Sequence, residues 1–354
     1  MRTSGENEAA IAAALLAWYD CHARALPWRA PPGSPASDPY RVWLSEVMLQ
    51  QTTTAAVAPY FLRFTERWPT VEALAAADEA EIMAAWAGLG YYARARNLIA
   101  CARAVAASGG TFPATLEGLR ALPGLGAYTA AAVAALAFGK HVAVVDTNVE
   151  RVVTRLDAIA APLPQARKAL PARVLSLTPP NRSADFAQAM MDLGAAVCTS
   201  RRPRCADCPL AQFCAGYRAG NPEAYPVKPP KPLKPERTGH AYWIERGGAV
   251  LLVTRPAAGL LGGMRALPDD GWSARSDGLD PPPLAGPWRE AGVIRHTFTH
   301  FSLSLHLAMY SGSDWASVTR LPGAWWPTGQ LETAGLPTLF LKVARLGMAQ
   351  GETE

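Results

Sequence analysis

Two patterns of apolar residues divide the chain near residue 225. Before that point, apolar side chains recur at intervals of three and four within alanine-rich segments, which is the spacing of amphipathic helices. Short proline and glycine signals separate these segments, as is typical of a compact domain with brief connections. The pattern predicts helices around residues 11–18, 42–51, 98–105 and 127–138.

Beyond residue 225 the pattern becomes that of a sheet. Residues 226–237 are rich in proline and lysine, which predicts an extended, semi-rigid linker. Gly247-Gly248 stands between the apolar runs 242–244 and 250–253 and predicts a tight hairpin turn. Apolar and polar residues alternate over 300–309, which predicts a strand, and a helix is expected from about Thr338 to Leu346. We therefore expect an α+β domain here.

Length and composition agree with two globular domains. A chain of 354 residues that is 50% hydrophobic and 18% charged can bury an apolar core in each domain, which excludes wholesale disorder, collagen and a disulfide miniprotein. We divide it into a domain of residues 1–225, a linker of 226–237 and a domain of 238–354. The 34 Lys and Arg against 29 Asp and Glu leave a net charge of +5, which permits a polyanionic partner without requiring one.

Targeting signals are missing from the sequence pattern. The first twenty residues mix charged residues with alanines and have no signal-peptide organisation. The apolar stretches are shorter than the roughly 20 residues that span a membrane. We expect an intracellular protein that is not secreted, does not bind a membrane and keeps its thiols reduced.

Four of the six cysteines lie within seventeen residues, at 198, 205, 208 and 214. Four thiolates without a histidine suit either zinc or an iron–sulfur cluster. The other two, Cys21 and Cys101, have no predicted metal role. Three arginines beside the cluster can either meet phosphates or form a solvated basic loop, namely Arg201, Arg202 and Arg204.

Two further features precede predicted helices. Gly124 and Gly126, in the run 122–126, allow a sharp turn that presents the free N–H groups of the following helix to a phosphate. Asp146 ends the apolar run 142–145 and is followed by Thr147 and Asn148. Such an aspartate is either an ordinary helix N-cap or a functional carboxylate.

Three long motifs in the first hundred residues make the pattern specific. They are LPWR at 26–29, PYRVWLSEVMLQQT at 39–52 and GLGYYARARNL at 88–98. Together with the glycine turn, the aspartate and the cysteine spacing, they resemble the adenine DNA glycosylases of the MutY type, and the likeness covers nearly the whole chain. The resemblance implies a mainly α helix-hairpin-helix glycosylase domain with an iron-sulfur cluster loop, plus an α+β MutT-like (Nudix-like) C-terminal domain. It also favours a 4Fe-4S cluster over zinc, held by Cys198, Cys205, Cys208 and Cys214.

The resemblance implies a monofunctional base-excision repair enzyme. It flips adenine out of a mispair with 8-oxoguanine or guanine and hydrolyses the N-glycosidic bond. The resemblance places Glu46 as the general acid at adenine N7 and Asp146 as the carboxylate that stabilises the oxocarbenium-like state. A pocket around Glu46 would raise its pKa as this role requires, whereas a position on the wet face of the helix is the alternative. Tyr128 stands where strand-nicking relatives have a Schiff-base lysine, so only weak strand cleavage is expected. Asn148 is placed with these catalytic residues.

The resemblance also assigns binding residues. Gln51 and Tyr91 would wedge into the base stack, although Tyr91 can also simply pack beside Tyr92. The turn 298–300 would read 8-oxoguanine, although His300 can also be the first polar residue of its strand. The adenine pocket would comprise Trp28, Arg29, Leu49, Leu89 and Asp192, the lesion-reading turn Phe298, Thr299 and His300, and the phosphate contacts Gly124, Gly126, Arg201, Arg202 and Arg204. For Asp192, a position on the helix surface is the alternative.

Some features depart from the family pattern. Residues 237–354 contain no Nudix box, so recognition rather than nucleotide hydrolysis is expected of the second domain. Thr147, Leu261 and Thr299 each replace a residue that is common in the family, and Leu261 is assigned no role. The expected partner is duplex DNA with an A:8-oxoguanine or A:G mispair, bound by a monomer in the cytoplasm at the nucleoid. The alternatives are a glycosylase for another mismatched base, such as thymine opposite guanine, and a catalytically silent lesion-binding protein.

Overall fold

The structure is a computed structural model, and it describes residues 4–229, 233–256, 259–313 and 315–351. The chain divides into two compact units, residues 1–230 and 231–354. None of the helices in these described ranges has the length and apolar character that crossing a membrane requires.

The first unit is helical, as predicted. Its helices are α1 (Ser4–His22), α2 (Pro39–Leu49), α3 (Thr54–Arg67), α4 (Val71–Ala76), α5 (Glu79–Trp86), α6 (Ala93–Ala107), α7 (Leu116–Arg120), α8 (Ala127–Phe138), α9 (Thr147–Leu156), α10 (Leu163–Ala166), α11 (Leu170–Leu177), α12 (Ser183–Ala196) and α13 (Ala215–Arg218). Short 3-10 turns occupy 205–207, 211–213 and 222–224.

Side-chain caps begin many of these helices. An oxygen of the N-cap residue accepts a hydrogen bond from a backbone N–H of the first turn, which typically stabilises a helix by about 1 kcal/mol. The residues that do so are Asp38, Thr53, Thr70, Asp78, Thr115 and Asp146.

Two apolar cores meet at the alanine-rich helix α8. One core is built mainly from α2 to α6, and the other from α1, α9, α11 and α12. Helix α8 contributes Ala130 and Ala134 to the first core and Ala132 and Ala135 to the second. Because these side chains are small, α8 is buried on nearly all sides, and its first turn lies where the two cores adjoin.

Helix α2 is shorter than its apolar pattern predicts. The sequence predicts a helix to Gln51, but the helix ends at Leu49, and Gln51 has a φ of 59°. A left-handed backbone cannot continue a right-handed helix. The prediction was therefore wrong at this end.

The second unit is the expected α+β domain. Its elements are β1 (Glu236–Trp243), β2 (Glu245–Arg246), β3 (Ala249–Thr254), β4 (Arg265–Ala266), β5 (Trp288–Thr297), β6 (Ser302–Tyr310), α14 (Trp315–Val318), β7 (Ala324–Pro327), a 3-10 turn at 328–333 and α15 (Thr338–Gly351). One sheet has the order β1-β6-β5, with β1 and β6 parallel, and a second joins β2, β4 and β7 to β3. The apolar face of β6 packs under α15, as its alternation predicted.

Four boundaries in the second unit differ from the prediction, and the first is the end of α15, which continues to Gly351 rather than ending at about Leu346. The Gly247-Gly248 turn is confirmed, with positive φ at both residues, but residues 242 and 243 belong to β1 rather than to the hairpin. Strand β6 begins at Ser302 rather than at 300. Of the predicted linker, residues 236 and 237 are in β1, and residues 230–232 lie outside the described part of the chain.

Candidate active site

A cleft of about 1050 Å³ opens in the first unit where α2, the start of α8 and the start of α9 meet. It collects residues that are distant in the sequence, because the two apolar cores bring these three elements together. The predicted site residues that line it are Trp28, Arg29, Glu46, Leu49, Gln51, Gly124, Gly126, Tyr128, Asp146 and Asn148.

Glu46 lies on α2 with only 5% of its surface exposed. Burial is the main reason that its pKa rises to about 7, and the negative charge of Asp146 raises it further. A hydrogen bond from Tyr128 and the positive charge of Arg29 act in the opposite direction. Glu46 therefore keeps its proton in a substantial fraction of molecules at neutral pH, which is the state that a general acid requires.

Tyr128 stands in the first turn of α8 and donates a hydrogen bond to Glu46. Burial, and then the charges of Glu46 and Asp146, raise the pKa of Tyr128 well above its usual range. The phenol is therefore a neutral donor at any physiological pH. It orients the Glu46 carboxyl but has no amine with which to form a Schiff base.

Asp146 is both a helix cap and part of the cleft wall. Its Oδ1 accepts from the backbone N–H of Val149 at 2.7 Å, so it caps α9. Its Oδ2 accepts from Asn148 Nδ2 at 2.8 Å, and Arg151 in turn donates to Asn148 Oδ1 at 2.8 Å. Both interpretations of Asp146 from the sequence are thus compatible, since the cap bonds hold the carboxylate at the cleft.

Asp192 is an exception among the predicted pocket residues. Its side chain is fully buried and is not among the residues that line the cleft, so the alternative of a position on the helix surface was wrong. Arg24 Nε donates to its Oδ1 at 2.6 Å, and Arg29 Nη1 donates to both oxygens at 2.9 and 2.8 Å. Asp192 therefore fixes the position of Arg29, which lines the cleft, through hydrogen bonds from the protein interior. Sequence inspection missed Arg24 because no motif surrounds it.

The structure differs from the predicted pocket role of Leu89 and from the packing alternative for Tyr91. Leu89 belongs to the apolar core and does not line the cleft. Tyr91 is 51% exposed and has a φ of 49°, so it is not simply packed away beside Tyr92. The guanidinium of Arg94 lies 5.5 Å from the centre of the Tyr91 ring. Arg94 itself was missed, although it stands inside the quoted motif at 88–98.

The two glycines of the α7–α8 turn have different structural roles. Gly124 has a φ of 75°, and a Cβ at this position would lie 2.6 Å from Cβ of Asn97. Gly126 has an ordinary backbone conformation, and a Cβ there would meet nothing within 4 Å. Gly124 thus shapes the turn, while Gly126 leaves open space beside the unpaired N–H groups that begin α8, as anion binding requires.

The four clustered cysteines converge on one small cavity that Arg155 also lines. Iron–sulfur clusters are held by cysteine thiolates, so the four cysteines that line this cavity fit such a cluster. Arg155 is buried, and its Nη1 donates to Cys198 Sγ at 3.4 Å.

The arginines beside the cluster reach the surface of the first unit. Arg201, Arg202 and Arg204 are all exposed. Arg204 Nη2 donates to the carbonyl of Ala196 at 2.8 Å, so it also caps the C-terminal end of α12. Arg201 and Arg202 are exposed as well, and the backbone N–H of Arg202 donates to Glu223 Oε1 at 3.0 Å, so the contact of these side chains with phosphate stays a prediction.

In the second unit, residues 298–301 form the turn between β5 and β6. The Phe298 N–H donates to the carbonyl of Phe301 at 2.8 Å, and the two rings stack at 4.7 Å. Thr299 and His300 are exposed at the tip, so the alternative that His300 begins strand β6 was wrong. Lys234 Nζ donates to the carbonyl of Phe298 at 2.8 Å and supports the turn from the linker side.

Comparisons with known proteins agree with this architecture. The family model of HhH-GPD superfamily base excision DNA repair proteins matches residues 44–175, that of the iron-sulfur binding domain of endonuclease III matches 198–214, and that of the NUDIX domain matches 240–346. The cysteine cavity is therefore the site of a 4Fe-4S cluster.

Individual relatives extend this agreement over the whole chain. The adenine DNA glycosylase of Homo sapiens is 35% identical over 96% of this chain and 74% of its own length, and that of Mycolicibacterium smegmatis is 47% identical over 58% and 70%. A solved thermostable thymine-DNA glycosylase superposes with a TM-score of 0.56 at 29% identity, covering 62% of this chain and 100% of its own. This chain belongs to the adenine DNA glycosylase family of base-excision repair hydrolases.

Proposed function

We propose that this enzyme removes adenine mispaired with 8-oxoguanine or guanine, as a monofunctional glycosylase that uses water. The observation that carries the proposal is Glu46, a buried carboxyl with a pKa of about 7, in one cleft with Tyr128, Asp146 and Asn148. An apolar surrounding that keeps a carboxyl neutral is the arrangement that general acid catalysis needs at physiological pH.

The chemistry follows from these positions. Glu46 donates its proton to N7 of the flipped adenine, which turns the base into a neutral leaving group. As the N-glycosidic bond breaks, positive charge develops on the sugar, and the Asp146 carboxylate stabilises it. Water then adds to the sugar and gives a proton to the Glu46 carboxylate, which restores the acid. Asn148 and Val149 hold Asp146 in place through their hydrogen bonds.

Adenine enters the cleft after base flipping. Trp28, Arg29 and Leu49 supply an aromatic, a cationic and an apolar wall for the base. Gln51, which is exposed and lines the cleft, and the exposed Tyr91 fill the gap in the duplex. Gly124 and Gly126 with the start of α8, and Arg201, Arg202 and Arg204, bind phosphates, and the 4Fe-4S cluster keeps the arginine loop in shape.

In this proposal, the second unit reads the base opposite adenine through Thr299 and His300. Both side chains are exposed at the tip of the β5–β6 turn, while Phe298 stacks on Phe301 and keeps the turn rigid. The protein works as a monomer on duplex DNA in the cytoplasm at the nucleoid.

The proposal is tested by single-turnover base release from four duplexes, in which adenine or thymine stands opposite 8-oxoguanine or guanine. Adenine release with alkali-dependent strand breakage is expected, because Tyr128 cannot form a Schiff base. Release of thymine alone would make the enzyme a thymine glycosylase, and tight binding without release would make it a lesion-binding protein. A strong borohydride-trapped complex would contradict the monofunctional assignment.

Replacing Thr299 tests the lesion-reading turn. Thr299→Ala removes an exposed hydroxyl without altering the Phe298–Phe301 stack, so we expect the rate preference for 8-oxoguanine over guanine to shrink by about tenfold, as for one lost hydrogen bond of roughly 1.4 kcal/mol. Adenine release opposite guanine should change little. Thr297→Ala, an exposed threonine at the end of β5, is the matched control. An unchanged ratio in Thr299→Ala would mean that the turn does not read the lesion.

A further inference from the structure

Arg94 is a buried cation in the first turn of α6. Only 8% of its surface is exposed, and burial lowers its pKa to about 10, so it still carries its charge at neutral pH. A positive side chain is unfavourable at the N-terminal end of a helix, where the dipole is also positive. The local preference of α6 therefore does not explain this residue, and its distant contacts must compensate.

Those contacts join two separate segments of the chain. Nη1 donates to the carbonyls of Val47 and Met48 in the last turn of α2, at 3.1 and 2.7 Å. Nη2 donates to Thr52 Oγ1 at 3.0 Å and to the carbonyls of Leu89 and Gly90 at 3.0 and 3.3 Å.

All of these acceptors are uncharged. Within the described chain, none of the hydrogen bonds of Arg94 goes to a carboxylate. One planar guanidinium thus ties the end of α2 and the segment 50–52 to the segment 89–91, which the single ammonium of a lysine cannot do.

Each tied segment carries a strained residue. Gln51 and Tyr91 have φ values of 59° and 49°, although neither is a glycine, and such a conformation costs about 1–2 kcal/mol per residue. It persists only where the surroundings impose it. An acceptor of Arg94 stands directly beside each of them in the chain, Thr52 after Gln51 and Gly90 before Tyr91.

We infer that Arg94 is a positioning residue that holds Gln51 and Tyr91 in one rigid arrangement, so that both side chains enter the base stack together. The inference rests on the proposed function of these two residues as the wedge. Flipping a base costs a few kcal/mol of stacking and pairing, and a wedge that is already ordered has less conformational freedom to lose on binding. In this inference Arg94 acts through these two residues and does not itself contact adenine or DNA.

We call the hydrogen bonds of Arg94 to the segments 47–52 and 89–90 the brace. The brace can be tested in the protein without DNA, independently of catalysis. Arg94→Lys keeps the charge but cannot span both segments. We expect faster amide hydrogen exchange in segments 50–53 and 88–92, measured by mass spectrometry. Arg103→Lys is the matched control, because Arg103 lies on the same helix with an exposed side chain and a loose surface pair with Glu79 at 3.6 Å. Equal exchange in Arg94→Lys and in the wild type would refute the brace.

Experiments with duplex DNA test whether Arg94→Lys weakens base unstacking and adenine release. With 2-aminopurine beside 8-oxoguanine, the fluorescence rise that reports unstacking should be smaller for Arg94→Lys. Single-turnover adenine release should fall by about tenfold or more at saturating enzyme, with DNA affinity within about threefold of wild type. In a Tyr91→Ala background, Arg94→Lys should add little further loss, since the wedge is already incomplete.

These experiments distinguish a failure of the inference about Arg94 from a failure of the proposed enzymatic function. Fully additive losses, or an unchanged fluorescence rise, would contradict a role of Arg94 through the wedge. If the wild type releases no adenine, the proposed function fails, while hydrogen exchange still decides the brace. If Arg94→Lys does not fold, Thr52→Val removes one acceptor, and the same exchange and fluorescence changes are expected at smaller size.

Discussion

Glu46→Gln is expected to lower single-turnover adenine release by about a thousandfold while DNA affinity stays within about threefold. Glutamine keeps the shape of the side chain and accepts the Tyr128 hydrogen bond but cannot donate a proton to N7, and a general acid typically contributes about 10²–10⁴ in rate. In the wild type, the rate should fall above pH 7, where Glu46 loses its proton. Glu46→Gln should lose this descending limb.

The thermal stability of Glu46→Gln is a second measurement. We expect it to rise above pH 7, whereas the rate of adenine release falls. The pKa of Glu46 is raised from 4.5 to about 7, so its favourable contribution is present below pH 4.5 and is lost as the pH rises through 7. Above pH 7 the buried carboxylate costs roughly 3 kcal/mol, and Glu46→Gln should therefore unfold at a higher temperature there. Glu81→Gln, an exposed carboxyl paired with Arg67, should change neither property. Turnover of Glu46→Gln within tenfold of wild type would remove Glu46 from the acid role.

Asp146→Asn is expected to lower adenine release by about 10²–10³-fold, because it removes the negative charge that faces the developing cation. Asparagine is as good an N-cap as aspartate, so α9 keeps its bond from the Val149 N–H, while the bond from Asn148 is lost. Because the charge of Asp146 raises the pKa of Glu46, the descending limb of the rate should also move to lower pH.

Helix α5, which also begins with an aspartate cap, provides a control that distinguishes the capping role of Asp146 from its proposed catalytic role. Asp78 caps α5 with bonds from the N–H groups of Ala80 and Glu81, and it lies on the surface. Asp78→Asn should therefore match Asp146→Asn in its small effect on the melting temperature but leave adenine release unchanged. An Asp146→Asn enzyme as fast as wild type would reduce Asp146 to an ordinary cap.

Much of the molecule followed from residue patterns that act locally. The alanine-rich apolar run predicted α8 over its full length, because alanine has the highest intrinsic helix propensity and glycines stand at both ends of the run. Gly247-Gly248 predicted its turn for the same reason, since glycine accepts positive φ without a steric cost. The end of α2 was missed, because the spacing of apolar side chains does not show that Gln51 takes a positive φ, which a right-handed helix cannot include.

Residue patterns alone were enough to predict the two kinds of fold, the four cysteines of the cluster and, through long motifs, the two carboxyls that we propose as catalytic. Tertiary structure alone decided what surrounds each of them. Burial beside Tyr128 sets the pKa of Glu46, and two arginines turn Asp192 from a pocket wall into a buried anchor. Solvation and long-range hydrogen bonds depend on residues that are distant in the chain, so no local pattern encodes them.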